Sequence, residues 1–123
     1  MIGLGMDLCE IARIERTLQK GDAFLQRFFT LEERAYIANR GAVGAQSAAA
    51  IFAAKEAFLK AAGVGLGGGI PLSDIGVVHE EGGAPRYALA GAAAQKLLEL
   101  GATRAFLTLS HEAGLAAAVA VLE

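Results

Sequence analysis

The 123-residue chain has a single cysteine, Cys9, so no internal disulfide can form and the chemistry fits a reducing compartment. No nucleophile motif surrounds Cys9, which argues against a catalytic thiol. Excess charge is scarce too: 11 basic against 13 acidic side chains leave a formal charge of −2. That gives no global basic field, and non-specific nucleic-acid binding is not expected. No apolar run approaches the roughly 18 residues of a membrane span, and no charged leader precedes a hydrophobic region. The expectation is a cytoplasmic protein with no membrane partner. Neither a repeat nor a linker interrupts the chain, and its length suits one domain over residues 1–123.

Apolar residues, by contrast, are plentiful. At 54% hydrophobic and a mean hydropathy of +0.45, so small a globule is expected to cover some apolar surface with another copy. Residues 115–122 read Leu-Ala-Ala-Ala-Val-Ala-Val-Leu without polar alternation. This predicts a strand covered on both faces, either central in a sheet or at an interface.

The segment Phe52-Ala53-Ala54-Lys55-Glu56-Ala57-Phe58-Leu59-Lys60-Ala61-Ala62-Gly63 sets one carboxylate and two ammonium groups in a helix of alanine and bulky hydrophobes. At about 100° per residue, Ile51, Phe58 and Leu59 form an apolar stripe, with Lys55 projecting into it and Glu56 and Lys60 along its flank. A lysine inside such a stripe needs a partner, because an unpaired buried charge is costly. On local pattern alone the segment also fits a core helix with a surface Glu56–Lys60 ion pair, worth about 0.2–0.5 kcal/mol.

Around it the chain predicts a strand from Met1 to Asp7 and a helix near Leu8–Gln19. That helix turns Ile11, Ile14 and Leu18 inward and sets Arg13, Arg16 and Lys20 in a basic row. Thr30 and Glu33 form a capping box that starts a helix toward Asn39. An alanine-rich stretch from Gly44 runs into the long helix, which Gly63 ends as a C′ residue. A glycine-rich loop to Gly69 and Pro71 follow. Then come a strand at Asp74–His79, a turn to Gly83, a strand at Arg86–Leu89, a helix at Ala90–Leu100 and two last strands hinged at His111–Gly114. This is an α+β plan with a small antiparallel sheet packed against a long helix and shorter helices.

Gly5-x-Asp7 with Arg13 six residues on, then Phe52-Ala-Ala-Lys55-Glu56-Ala57 with Lys60-Ala61 and Gly63, resembles the holo-acyl-carrier-protein synthase family, the small bacterial 4'-phosphopantetheinyl transferases. Leu72-x-Asp74-Ile75, Gly83-Ala84-Pro85 and Leu109-Ser110-His111 fall in the family's order, so the resemblance spans essentially the whole chain.

It implies the 4'-phosphopantetheinyl transferase fold and a magnesium-dependent transferase. Such an enzyme moves phosphopantetheine from coenzyme A to a serine of apo acyl carrier protein, leaving adenosine 3',5'-bisphosphate, in support of fatty acid biosynthesis. Phosphoryl transfer needs positioning and charge neutralisation more than covalent help, and magnesium takes one or two carboxylates besides phosphate oxygens and water. The resemblance assigns the metal to Asp7 and Glu56, and catalysis to Glu56 and Lys60. It assigns coenzyme A contacts to Lys60, Gly63, Gly83, Pro85, Ser110 and His111. An acidic carrier is expected on Arg13 and Lys20, with Arg16 and Arg27 as additions. A homotrimer with sites between subunits is also implied.

Plainer roles stay open beside these. Asp7 fits a helix N-cap, Gly63–Gly69 a mobile connector, His111 a structural turn residue and the basic row a solvated face. The loop is no P-loop, because it trails its helix and no Gly-Lys-Ser/Thr follows. Water held through Glu56 and Lys60 itself are both open as the group that takes the serine proton. The chain departs from the family at Ile51, where an arginine commonly stands; Arg86 is a candidate to hold a coenzyme phosphate instead. That departure is the one feature favouring a second function class, a non-catalytic oligomeric module that binds a nucleotide-like ligand or a carrier.

Overall fold

Alanine dominates the longest helical segment, and its short side chain lets neighbouring backbones approach from every side. The computed structural model describes residues 1–123 as β1 (Gly3–Glu10), α1 (Ile11–Gln19), α2 (Ala23–Phe28), α3 (Leu31–Asn39), α4 (Gly44–Ala61), β2 (Ile75–His79), β3 (Pro85–Leu89), α5 (Gly91–Glu99), β4 (Ala105–Glu112) and β5 (Leu115–Leu122). Short 3-10 turns at Gly41–Val43 and Leu72–Asp74 complete the chain. Strand β5 lies between β1 and β4, antiparallel to both, and β2 and β3 form a separate antiparallel pair. The α+β class and the small antiparallel sheet against a long helix are as expected.

Helix α4 is the core. Twelve of its 18 residues are buried, so it is covered on nearly all sides rather than along one stripe. Its closest neighbour is β1, and glycine is the reason. A Cβ built on Gly5 would stand 2.2 Å from the Ala57 carbonyl oxygen, and one on Gly3 2.1 Å from that of Ala61. Glycine in the Gly5-x-Asp7 motif therefore lets strand backbone touch helix backbone. Gly63, at φ +71°, ends α4. Its N–H donates to the Lys60 carbonyl and that of Val64 to the Leu59 carbonyl, a Schellman closure at the predicted C′ residue.

The partner that Lys55 requires is Glu33. Both side chains are fully buried, with Nζ 2.8 Å from Oε1, and Nζ also donates to the Leu72 and Ile75 carbonyls, each at 2.9 Å. Glu33 has a second task, because its carboxylate accepts from the Thr30 N–H in the predicted capping box and from the Val77 N–H. One ion pair thus ties α3, α4, the 3-10 turn and β2 together.

Several expectations need correction. Strand β1 runs on through Asp7 to Glu10 and α1 begins at Ile11, so Asp7 is neither a strand end nor an N-cap. The pairing of β1 with β5 along its whole length outweighs the helical pattern of residues 8–10. Helix α2 was not anticipated. Strand β5 is central in its sheet, one of the two expected places, but within one chain only one face is covered: Ala116, Ala118, Ala120 and Leu122 are buried, while the opposite face stays partly open. The β4–β5 turn is Ala113-Gly114, both at positive φ (51° and 78°), as a two-residue type I′ hairpin turn requires. His111 consequently lies in strand β4 and not in the turn. No helix is long and apolar enough to cross a membrane.

Candidate active site

Alternation along β1 turns Gly5, Asp7 and Cys9 toward α4 and Leu4, Met6 and Leu8 away from it. The glycine contact brings that inward row close enough for Asp7 to meet the flank of α4, where Glu56 and Lys60 sit one turn apart. Asp7 is 8% exposed, and the Lys60 Nζ donates to its Oδ1 at 3.0 Å and to the Met6 carbonyl at 3.0 Å. Lys60 remains 57% exposed, so its ammonium borders solvent while it orients a buried carboxylate.

Glu56 completes the group. Burial pushes its carboxyl up from the ordinary range, the charge of Asp7 and a hydrogen bond shared with Asp7 push further, and Lys60 and Arg13 oppose. Two neighbouring carboxylates repel, and a cation bound by both would relieve that repulsion. This donor set fits a hard divalent ion that takes only one or two protein carboxylates. No cluster of three or more potential ligands occurs anywhere in the chain.

Beside Glu56 an open groove of about 310 Å³ is lined by Arg13, Ile14, Thr17, Phe24, Phe52 and Glu56. Arg13 reaches Cys9 Sγ at 3.8 Å, and its charge acts on Glu56, so it belongs to the edge of the carboxylate group as well as to the basic row. Burial raises the Cys9 thiol, with Arg13 opposing. The rest of the row disperses: Arg16 is 3.5 Å from Glu10, Lys20 is the exposed C-cap of α1, and Arg27 on α2 lies 5.1 Å from the Phe28 ring centroid.

Four more of the candidate residues meet elsewhere. Gly83, Pro85, Ser110 and His111 line a second cavity of about 230 Å³. Sequence reasoning missed the other half of its wall, namely Tyr36 and Arg40 from the end of α3, Gln46 and Ser47 from the start of α4, and His79 from β2. Tyr36 and His79 stack face to face, centroids 3.9 Å apart, and burial followed by the Arg40 charge pushes the His79 imidazole down. No local pattern marks these residues, since each gains its meaning from a neighbour in another element. Gly63 lines neither cavity and serves as the helix stop; Arg86 lies 3.5 Å from Glu80, outside both. Ile51 is wholly buried in the core.

The fold, with a carboxylate pair and lysine between β1 and α4, defines a class, and the match to family models agrees. The chain belongs to the 4'-phosphopantetheinyl transferase superfamily, whose model matches residues 3–120. Among its relatives, the holo-acyl-carrier-protein synthase of Treponema denticola is 44% identical over 123 residues, covering 100% of this chain and 98% of that protein. That of Geobacter sp. is 45% identical, covering 98% and 97%. Solved structures agree. The holo-acyl-carrier-protein synthase of Neisseria meningitidis superposes with a TM-score of 0.89 at 35% identity, covering 100% of this chain and 98% of that one. The Helicobacter pylori synthase in complex with coenzyme A gives 0.84 at 31% identity, covering 98% and 99%.

Proposed function

We propose that this chain is a holo-acyl-carrier-protein synthase, transferring the 4'-phosphopantetheine group of coenzyme A to a serine of an apo acyl carrier protein. The observation that carries the reading is the meeting of Asp7, Glu56 and Lys60 in a chain that full-length relatives of that activity match. Adenosine 3',5'-bisphosphate as leaving group, service to fatty acid biosynthesis and a cytoplasmic setting belong to the same proposal. Magnesium is its proposed metal, and when bound supplies a hard positive charge against the phosphate oxygens.

Asp7 and Glu56 would hold that ion. Asp7 is pre-oriented by Lys60, and both carboxylates sit on regular elements, so little reorganisation is needed. Lys60 brings a second positive charge to the same diphosphate from its solvent-facing side. A water held by Glu56, and Lys60 itself, are the two groups placed to take the proton of the attacking serine hydroxyl. Arg13, at the mouth of the groove, and Lys20, at the end of α1, offer positive charge to an acidic carrier.

A homotrimer with shared sites is also proposed, and two features support it. Ser47 in the second cavity and Glu56 are nine residues apart on α4, which is about 180° around the helix and roughly 13 Å along it. One coenzyme molecule spanning both would have to pass around a buried helix, unless a second copy brings its cavity to the first copy's carboxylates. The outer face of the three-stranded sheet is apolar and open, with Leu4, Met6 and Leu8 at 60%, 52% and 55% exposure and Phe106 at 44%. Such a patch is a natural surface between copies.

The test is mass spectrometry of an apo carrier protein incubated with coenzyme A, magnesium and this chain. A mass gain of one phosphopantetheine, absent when the carrier serine is alanine, is expected. No gain with any of several bacterial carriers would overturn the reading.

A further inference from the structure

Of the two arginines in the basic row, only Arg13 keeps its charge free of a partner within the chain. Arg16 lies 3.5 Å from Glu10, whereas none of the four ion pairs includes Arg13. Arg13 is exposed and lines the groove beside Glu56. Its guanidinium is nevertheless anchored, because Nη2 donates to Cys9 Sγ at 3.8 Å. Cys9 is 2% exposed. It is the last inward residue of β1 and pairs with Ala116 of β5, and Arg13 follows four residues later in the first turn of α1. The sulfur is thus a fixed point, set by the sheet, beneath a long and otherwise unpartnered side chain.

The kind of acceptor matters. A carboxylate in that place would hold the guanidinium more tightly and would also cancel its charge. A thiol is neutral at pH 7 and its sulfur accepts only weakly, so the contact orients the guanidinium and leaves the charge whole. The other N–H groups of the fork stay free for a carboxylate arriving from outside. Anchoring also removes, before any partner binds, part of the rotamer freedom that an interface would otherwise have to freeze.

We propose that Cys9 is a positioning residue for carrier recognition: its buried sulfur presents the Arg13 guanidinium, oriented and not neutralised, at the mouth of the groove beside Glu56. The proposal rests on the transfer reading and deepens it, assigning part of the carrier's affinity to a residue sealed beneath the surface that the carrier meets.

The test compares Cys9→Ala with Cys9→Ser. Both leave nearly the same small space where the sulfur was, and only serine offers Arg13 an acceptor. With apo carrier at low salt, Cys9→Ala should raise the carrier KM about three- to ten-fold, as expected for one weak hydrogen bond from a charged donor, while Cys9→Ser stays within about two-fold of wild type. The plateau kcat and the KM for coenzyme A should stay within about two-fold in both variants. In an Arg13→Gln background the same Cys9→Ala change should add less than about two-fold to the carrier KM. Equal losses in the two variants, a loss that persists without Arg13, or a Cys9→Ala carrier KM equal to that of wild type overturns the proposal. Nitrogen-15 relaxation of the Arg13 side chain keeps it separable from the transfer reading. The guanidinium should be ordered in the wild type and in Cys9→Ser and disordered in Cys9→Ala, with no carrier present. If the wild type modifies no carrier, the proposed function fails, and that pattern of order still upholds Cys9 as the anchor of Arg13. Equal order in all three proteins overturns the anchor.

Discussion

Replacing Lys55 by methionine keeps nearly the same volume, so it opens no large cavity, but it removes the only cation among four buried acceptors. Left behind are both oxygens of the fully buried Glu33 carboxylate and the Leu72 and Ile75 carbonyls, each of which had accepted from Nζ at 2.9 Å. Breaking a buried pair from one side costs about 3–5 kcal/mol. The two abandoned carbonyls, at about 1–3 kcal/mol each when unsatisfied, place the expected loss at the top of that range, near 5 kcal/mol. Against a total stability of about 5–15 kcal/mol and roughly 4 °C per kcal/mol at this size, the thermal midpoint should fall by about 15–20 °C. Urea and thermal unfolding would measure it. The double variant Lys55→Met with Glu33→Gln supplies the decisive comparison, because a neutral amide at position 33 relieves the stranded charge while keeping an acceptor for one of the two N–H groups, Thr30 or Val77, that the carboxylate served. The double variant should be at least 1–2 kcal/mol more stable than the sum of the single losses predicts. A Lys55→Met protein within about 1 kcal/mol of wild type, or strict additivity in the cycle, would refute this account of what binds α3, α4 and β2 together.

Other outcomes follow from the site and its supports. Gly5→Ala would drive a methyl group into the Ala57 carbonyl at 2.2 Å; β1 must shift off α4, and both transfer and folding, read by circular dichroism, should be lost or severely reduced. Glu56→Gln should abolish transfer yet raise the thermal midpoint of the metal-free protein. The sign follows from the raised carboxyl of Glu56, whose contribution is present below the ordinary carboxylate range and lost as pH rises through the raised value, so the gain should appear at neutral pH and vanish in acid. A midpoint that falls at neutral pH would contradict the carboxyl–carboxyl strain. Arg13→Glu should raise the carrier KM steeply at low salt and less at high salt; because Arg13 also opposes the raised pKa of Glu56, a pH–rate profile shifted toward higher pH should accompany it. Met6→Asp, on the open sheet face, should convert an oligomer to monomer in analytical ultracentrifugation with the secondary structure retained.

What local sequence determined was the chemistry carried by α4 and β1. The helical period sets Glu56 and Lys60 on one flank and buries Lys55, the Thr30–Glu33 box starts α3, and glycine at position 63 stops α4, because each depends on residues within a turn or two of one another. That Lys55 must have a partner was legible; that the partner is Glu33, 22 residues earlier, was not, since only packing brings α3 onto α4. Asp7 was legible as a carboxylate beside glycine, but its place inside the strand depends on β1 pairing with β5 more than 100 residues later in the chain. Arg40, Tyr36 and His79 carry no periodic or motif signal and became a cavity only when α3, β2 and β4 converged. The open apolar face of the sheet shows the same division. Composition required that some apolar surface remain, and the alternation of β1 and β5 over α4 decided which side of the sheet would bear it.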